Sequence, residues 1–408
     1  MELLYILLIL LVVTRVCGEL AERINQPPLA GELIGGVFLG LLVSLFPDRL
    51  SALSGLHHDP TFTAITDLAI FFLMLQAGIE LNPRKIANAS LRAFLVALGG
   101  FVLPLGAGLA VGWFFLPDSA LKAPQALFIG TALAITAIPI AIKALMDLGK
   151  LDTPVGHMIV SAAIFDDVMS LILLAVLLSM INTGGLPEAM DVGILCLKVS
   201  GFFAITIILG HYVFPILGKI LLRAKASEFE LSALLVMALA FSVLAEVMGL
   251  HFVLGAFLAG LFFRQRTANQ SIYKAINNKI SGLTSGFLAP IFFASIGLSL
   301  NPKAVVTVPT FVLLLLLVAF LGKLIGSGGM AWAQGMKRRD SLAVGAAMSG
   351  RGAVELILAG IALRAGLFDK PDPPTPIVEN LFSTIVIVAI FTTVVMPILL
   401  RYLIGRRG

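Results

Sequence analysis

Apolar runs separated by short charged, Pro-rich or Gly-rich breaks recur from residue 3 to residue 404 of the 408-residue chain. A helix needs about 20 mainly apolar residues to cross the hydrocarbon of a bilayer, and cutting at the breaks yields about thirteen stretches of that kind. They lie near 3–17, 29–46, 62–79, 91–115, 124–146, 156–181, 192–222, 229–248, 250–264, 280–299, 307–334, 341–364 and 378–404, with the shallowest break between Met248 and Leu250. No polar block between the runs is large enough to fold as a separate globule, so the pattern predicts one all-α membrane domain. The opening run, Leu3 to Val16, has neither the basic start nor the small residues before Cys17 that a cleaved leader carries. It is expected to remain as the first span.

Composition agrees with the pattern. Hydrophobic residues make up 59% of the chain, charged residues only 12%, and the mean hydropathy is +1.04, against roughly 45–50% apolar content in soluble domains. Membrane lipid is therefore the first partner. The net charge of +5 reflects basic loops rather than a nucleic-acid surface, and no nucleic-acid motif accompanies it. Positive residues stay on the cytoplasmic side of a membrane protein. With the N-terminus outside, the cytoplasmic loops collect most of the Lys and Arg, while the opposite side keeps Arg49, Lys122, Lys303, Arg364 and Lys370. That bias places the C-terminus in the cytoplasm, and the protein is expected in the cell inner membrane. Cys17 and Cys196 have no paired spacing and read as packing residues. The five histidines have no metal-ligand spacing, and no cofactor or resident metal is expected.

The chain also compares with itself. Ile34 to Leu41 resembles Leu254 to Leu261, and Gly78 to Pro83 resembles Gly297 to Pro302, at nearly one offset. Span 2 then corresponds to span 9 and span 3 to span 10. A shift of seven spans reverses the direction of crossing, so the repeat is of inverted topology, a signature of secondary transporters. The stretch 192–222 becomes the linker between the halves.

Ionisable groups inside apolar spans cost about 2.5 to 3.5 kcal/mol each on insertion scales unless paired or hydrated. Span 6 carries Asp166 and Asp167 near its middle. Adjacent helical residues point about 100° apart, so the two acids meet different surroundings. One can face a cation site while the other pairs with a base on a neighbouring helix, and Lys323 in span 11 is the candidate base. A plain packing role needs one acid for one base; the spare carboxylate, desolvated beside a like charge, suits a site that holds either a proton or a cation. Two further spans are broken. Span 5 runs Thr131, Ala132, Leu133, Ala134, Ile135, Thr136, Ala137, Ile138, Pro139, where the proline removes a backbone hydrogen bond that Thr hydroxyls can replace. Span 12 runs Ser349, Gly350, Arg351, Gly352, Ala353, Val354, Glu355, where glycines permit unwinding beside an Arg/Glu pair four residues apart. These spans are again seven apart, and the repeat predicts that they cross at mid-membrane as discontinuous helices, offering carbonyls and helix ends beside the acids. Thr136 and Ser161 are the hydroxyls expected to join Asp166, Asp167 and Lys323 at the ion site, with Thr131, Pro139, Ser349, Arg351 and Glu355 supporting it.

Taken together, Asp166 and Asp167, the run Thr136 to Pro139, Lys323, and Gly350 to Ile357 resemble the cation:proton antiporters, in the branch of Kef-type potassium/proton and related sodium/proton exchangers. The resemblance implies the sodium/proton antiporter fold and a homodimer. It divides the chain into a dimerisation part at about 1–80 and 229–299 and a core transport part at about 91–181 and 307–404 that moves as an elevator. It assigns the cation to Asp167 and the lysine pair to Asp166. A double aspartate resembles electrogenic exchangers and leans towards sodium over potassium. No nucleotide-binding cytosolic regulatory domain is expected after Arg407. Two alternatives use the same materials. A sodium-coupled symporter of organic anions shares the fold but needs an anion site, for which Arg351 is the candidate. An intramembrane aspartyl protease takes its two acids from separate helices, which this chain does not match.

Overall fold

The computed structural model describes residues 2–46, 50, 53, 56, 59–80, 91–151, 153–183, 193, 197–198, 200–210, 212, 229–266 and 270–404, and the regular structure among them is helical throughout. In chain order the main helices are α1 (Glu2–Arg23), α2 (Pro28–Leu45), α3 (Pro60–Glu80), α4 (Leu91–Phe115), α5 (Lys122–Ala134), α6 (Ile138–Asp147), α7 (Pro154–Thr183), α8 (Phe229–Val247), α9 (Phe252–Arg266), α10 (Gln270–Leu283), α11 (Ala289–Ser299), α12 (Pro309–Lys323), α13 (Gly329–Ala333), α14 (Arg338–Met348), α15 (Ala353–Arg364) and α16 (Leu381–Ile404). Ten candidate spans among the described residues are long and apolar enough to cross a membrane, and Ser200–Gly210 and Phe252–Phe263 are shorter apolar helices. With the two halves α5 and α6, every stretch expected from hydropathy other than 192–222 has a helical counterpart. The linker stretch 192–222 lies largely outside the described residues. Two spans begin three or more residues earlier than expected. The tenth span begins at Gln270 and the twelfth at Arg338, because their opening turns carry Lys274, Asn277, Asn278, Arg339 and Asp340, which a hydropathy cut excludes.

The break at Met248–Leu250 is a helix stop. Leu250 N–H donates to Ala245 O at 2.8 Å and Gly249 N–H to Glu246 O at 2.9 Å, the paired bonds of a Schellman cap, and Gly249 has φ +76°, a conformation for which glycine is the cheap residue.

Contacts divide the chain into two units. One comprises Met1–Leu7, Gly55–Asn88 and Pro187–Phe292. Within it α3 packs along α9 and α9 along α8, and Tyr273 Oη reaches Ile79 O at 3.5 Å. The other comprises Leu8–Ser54, Ala89–Leu186 and Phe293–Gly408. There α4 packs on α5, α7 and α12, and α14 on α16. Small residues set the close approaches, as when a Cβ on Gly108 would stand 2.7 Å from Gly130 Cα.

The repeat is visible in how helices pair inside each unit. In the second, a Cβ on Gly36 of α2 would meet Gly297 Cα of α11 at 3.0 Å, and one on Gly40 would meet Leu298 O at 3.1 Å. In the first, a Cβ on Gly78 of α3 would meet Leu261 N of α9 at 3.0 Å, and one on Gly260 would meet Ile79 N at 2.8 Å. Since α2 corresponds to α9 and α3 to α11, the same pair of contacts is made twice with the halves exchanged. These are backbone-to-backbone approaches with no flexible neighbour to yield, so Gly297→Val is expected to lower stability by about 1–3 kcal/mol. A thermal melt in detergent measures it, and an unchanged midpoint would contradict the close approach.

Candidate functional site

Span 5 comes apart where its proline requires. Pro139 lacks an N–H and sits in the first turn of α6, where the missing donor is not needed. The three residues before α6, Ile135 to Ala137, are not helical, with ψ of 143° at Ile135 and 104° at Ala137. Span 12 opens at Gly350–Gly352, between α14 and α15. The two openings meet. Ala137 N–H donates to Gly350 O at 2.8 Å, the Thr136 hydroxyl donates to Met348 O at 2.9 Å, and a Cβ on Gly352 would stand only 2.7 Å from Ala137 Cβ. Crossed discontinuous helices are thus present.

A helix end leaves its last four carbonyls without internal donors, and in an apolar interior each must find one. Ile135 N–H serves Thr131 O at 3.2 Å. The Arg351 guanidinium serves the next two, Nη1 donating to Ala132 O and Nη2 to Leu133 O at 2.8 Å. Its positive charge also suits the negative end of the α5 dipole. Glu355, in the first turn of α15, suits the positive end of that helix and lies 3.5 Å from Arg351 Nη1; both side chains are fully buried. The Thr393 hydroxyl of α16 donates to Arg351 O at 2.7 Å. The carbonyls expected to coordinate a cation are therefore already engaged within the protein, each with one acceptor position left.

Asp166 lies on α7 and is fully buried, and Lys323 Nζ donates to its Oδ1 at 3.1 Å from an equally buried position. Thr136 lies against the same carboxylate, which ties the acid to the crossing. Asp166 Oδ2 has no hydrogen-bond partner among the described residues. Lys323 ends α12 and is followed by a π-helical turn, Leu324–Gly328. Gly345 of α14 admits it closely, since a Cβ there would lie 3.1 Å from Lys323 O. Two acids and two bases are thus buried together as Asp166–Lys323 and Glu355–Arg351, and their charges balance.

Asp167 continues α7, but its side chain lies outside the described residues, as does that of Pro139. Of the other expected site residues, Thr136, Arg351 and Glu355 are fully buried at the crossing, and Ser349 is 1% exposed with its hydroxyl on Ala346 O. Thr131 donates within its own helix to Leu127 O at 2.7 Å rather than across the break. Ser161 is half-buried and about 140° around α7 from Asp166 at 100° per residue. The hydroxyl one turn from Asp166 is Ser170, 1% exposed and bonded to Asp166 O at 2.8 Å. Ser170 and Thr393 were not singled out by sequence; hydroxyls in an apolar span were the only signal.

A family model described as "Sodium/hydrogen exchanger, transmembrane" matches residues 6–404. The chain is 30% identical over 399 residues to the Na(+)/H(+)-K(+) antiporter GerN of Bacillus cereus, covering 98% of this chain and 95% of that one. It is 31% identical over 399 residues to the probable Na(+)/H(+) antiporter GerT of the same organism, covering 98% of each. The solved structure of the sodium proton antiporter MjNhaP1 from Methanocaldococcus jannaschii matches with a TM-score of 0.75 and 17% identity, over 98% of this chain and 97% of that one; that likeness is of the fold.

Proposed function

The chain belongs to the sodium/hydrogen exchanger family, and from that premise we propose that it exchanges a monovalent cation for protons by competition at Asp167 under alternating access. It is a multi-pass membrane transporter and not an enzyme; ions are its only reactants, and it needs no cofactor. The observation that carries the reading is the buried Asp166–Lys323 pair at 3.1 Å, held against the crossing by Thr136. The four buried charges described there cancel, so a carboxylate at 167, next on the same helix, is the charge left for an arriving ion to neutralise. A proton does this in one half of the cycle and the cation in the other, and the two cannot be held together. Lys323 neutralises Asp166 while the site is empty and leaves it when the cation arrives. Sodium is the cargo that the double aspartate favours, with potassium second.

The same reading has the protein work as a homodimer in the inner membrane, N-terminus outside and C-terminus cytoplasmic. The core part, 91–181 and 307–404, carries the site in an elevator movement; 1–80 and 229–299 form the dimerisation part, and 192–222 links the halves. The test is a proteoliposome assay that records pH change and membrane current together as sodium, potassium and lithium are added in turn. Proton movement driven by sodium supports the reading, the accompanying current gives the stoichiometry, and silence with every cation ends it. Uptake of a labelled organic anion with sodium would favour a symporter built around Arg351 instead.

Lys323→Gln tests the lysine's part. Without its ammonium, Asp166 is neutralised by a proton that the cation must then displace as well. Exchange is expected to persist in part, with an apparent cation KM that rises more steeply as pH falls than in the unaltered protein. A KM profile that overlays the original would show that Lys323 does not compete for the site.

A further inference from the structure

Of the four buried charges at the crossing, the exchange cycle above leaves Glu355 and Arg351 without a task, and Arg351 is occupied at the end of α5. Glu355 is fully buried, and its described ion-pair partner, Arg351 Nη1, stands 3.5 Å away. That guanidinium is shared with Ala132 O and Leu133 O, to which it also donates. Neither Glu355 carboxylate oxygen has a hydrogen-bond partner among the described residues. A carboxylate removed from water whose one described ion-pair partner stands at 3.5 Å is only partly compensated for its lost hydration, and a second cationic donor brought to it is favoured. The other base whose charge acts on Glu355 is Lys323. In the structure that ammonium rests on Asp166 Oδ1, at 3.1 Å.

Lys323 is suited to changing partners. Its ammonium rides on a flexible four-carbon stem with rotatable donors. The π-helical turn that follows, Leu324–Gly328, is a local departure from α-helical register of the kind found at functional sites. A cation settling at the aspartate pair displaces the ammonium from Asp166. Left unpaired in the interior, that ammonium would oppose cation entry; a second buried carboxylate removes the obstacle.

We propose that Glu355 is a positioning residue that receives Lys323 when the transported cation displaces it from Asp166, so that the ammonium passes between two buried carboxylates during each cycle. The proposal rests on the reading that the cation binds at the aspartate pair.

A double-mutant cycle separates this role from simple packing. Cation KM and maximal rate are measured at one pH in proteoliposomes holding the unaltered protein, Glu355→Gln, Lys323→Gln and the double variant. Glu355→Gln is expected to raise the cation KM about tenfold, within the 5–150-fold typical of coupled sites, with a smaller change in maximal rate. In the Lys323→Gln background the same substitution is expected to move KM by less than about twofold, since Glu355 acts through the lysine. An equal shift in both backgrounds, or none in the unaltered background, overturns the proposal. Should Glu355→Gln not accumulate as folded protein, Glu355→Asp keeps the charge and withdraws it by one methylene; its KM is expected to rise about threefold, and an unchanged KM overturns the proposal equally. Failure of the underlying reading is distinguishable, because the unaltered protein would then show no saturable cation-driven proton movement.

Discussion

Asp167→Asn is expected to abolish exchange, reducing cation-driven proton movement to the leak of protein-free vesicles. Described charges at the crossing cancel in two pairs, Asp166 with Lys323 and Glu355 with Arg351, all fully buried. A cation entering a site of zero net charge gives up its hydration with no counter-charge in return. In the cycle proposed above, the carboxylate at 167 is the group that supplies that counter-charge and that takes up and releases the proton. An amide can do neither, so the substitution removes both half-reactions while preserving size and shape. The measurement is a pH-sensitive dye inside proteoliposomes challenged with sodium, potassium and lithium. In the unaltered protein, the proposed competition is expected to make the apparent cation KM rise as pH falls. Full-rate exchange by the Asn variant with any of the three cations would place the transport carboxylate elsewhere.

The second large effect is structural. Arg351→Met is expected to destabilise the protein by about 3–5 kcal/mol, the usual result of removing one partner of a buried ion pair, and further because carbonyls lose their donors. The guanidinium serves Ala132 O, Leu133 O and the Glu355 carboxylate at once. Without it, Glu355 is a buried charge lacking its pair, and the end of α5 carries unsatisfied oxygens at about 1–3 kcal/mol each. Thermal unfolding in detergent, followed by size exclusion, reads the loss. Removing both partners, Arg351→Met with Glu355→Met, is expected to be milder than removing the arginine alone, because no uncompensated charge remains. A melting midpoint untouched by Arg351→Met would mean that the crossing holds itself together without its arginine.

Several parts of this arrangement were legible one residue at a time. Pro139 marked the break in span 5 and Gly350 and Gly352 the break in span 12, because a missing donor and missing side chains act locally. Asp166 and Lys323 stood out because ions in apolar helices are expensive wherever they occur. The internal repeat was visible as matched segments, although only the exchanged contacts, Gly36 with Gly297 and Gly260 with Ile79, show how each half uses them. Other parts had no local signature. Ser161 looked as good as any hydroxyl on span 6, yet Ser170 is the one bonded to Asp166 O. Thr131 looked like a replacement donor at the break, yet it bonds within its own helix and the arginine does the work.

The sequence by itself determined that the chain lives in a bilayer, where its helices stop, which of them are interrupted and which ions lie inside. Each follows from transfer free energies and backbone chemistry that belong to a residue and its immediate neighbours. The pairing of Lys323 with Asp166 was implied by the resemblance and that of Arg351 with Glu355 by their spacing; only the tertiary structure decided how far apart the partners stand and which carbonyls the arginine occupies. Lys323 reaches Asp166 across 157 residues of chain and Arg351 reaches Ala132 across 219. Such partners are selected by helix packing, in which small residues at a few contacts allow backbones to approach and so bring charges from distant spans within a bond's length of each other.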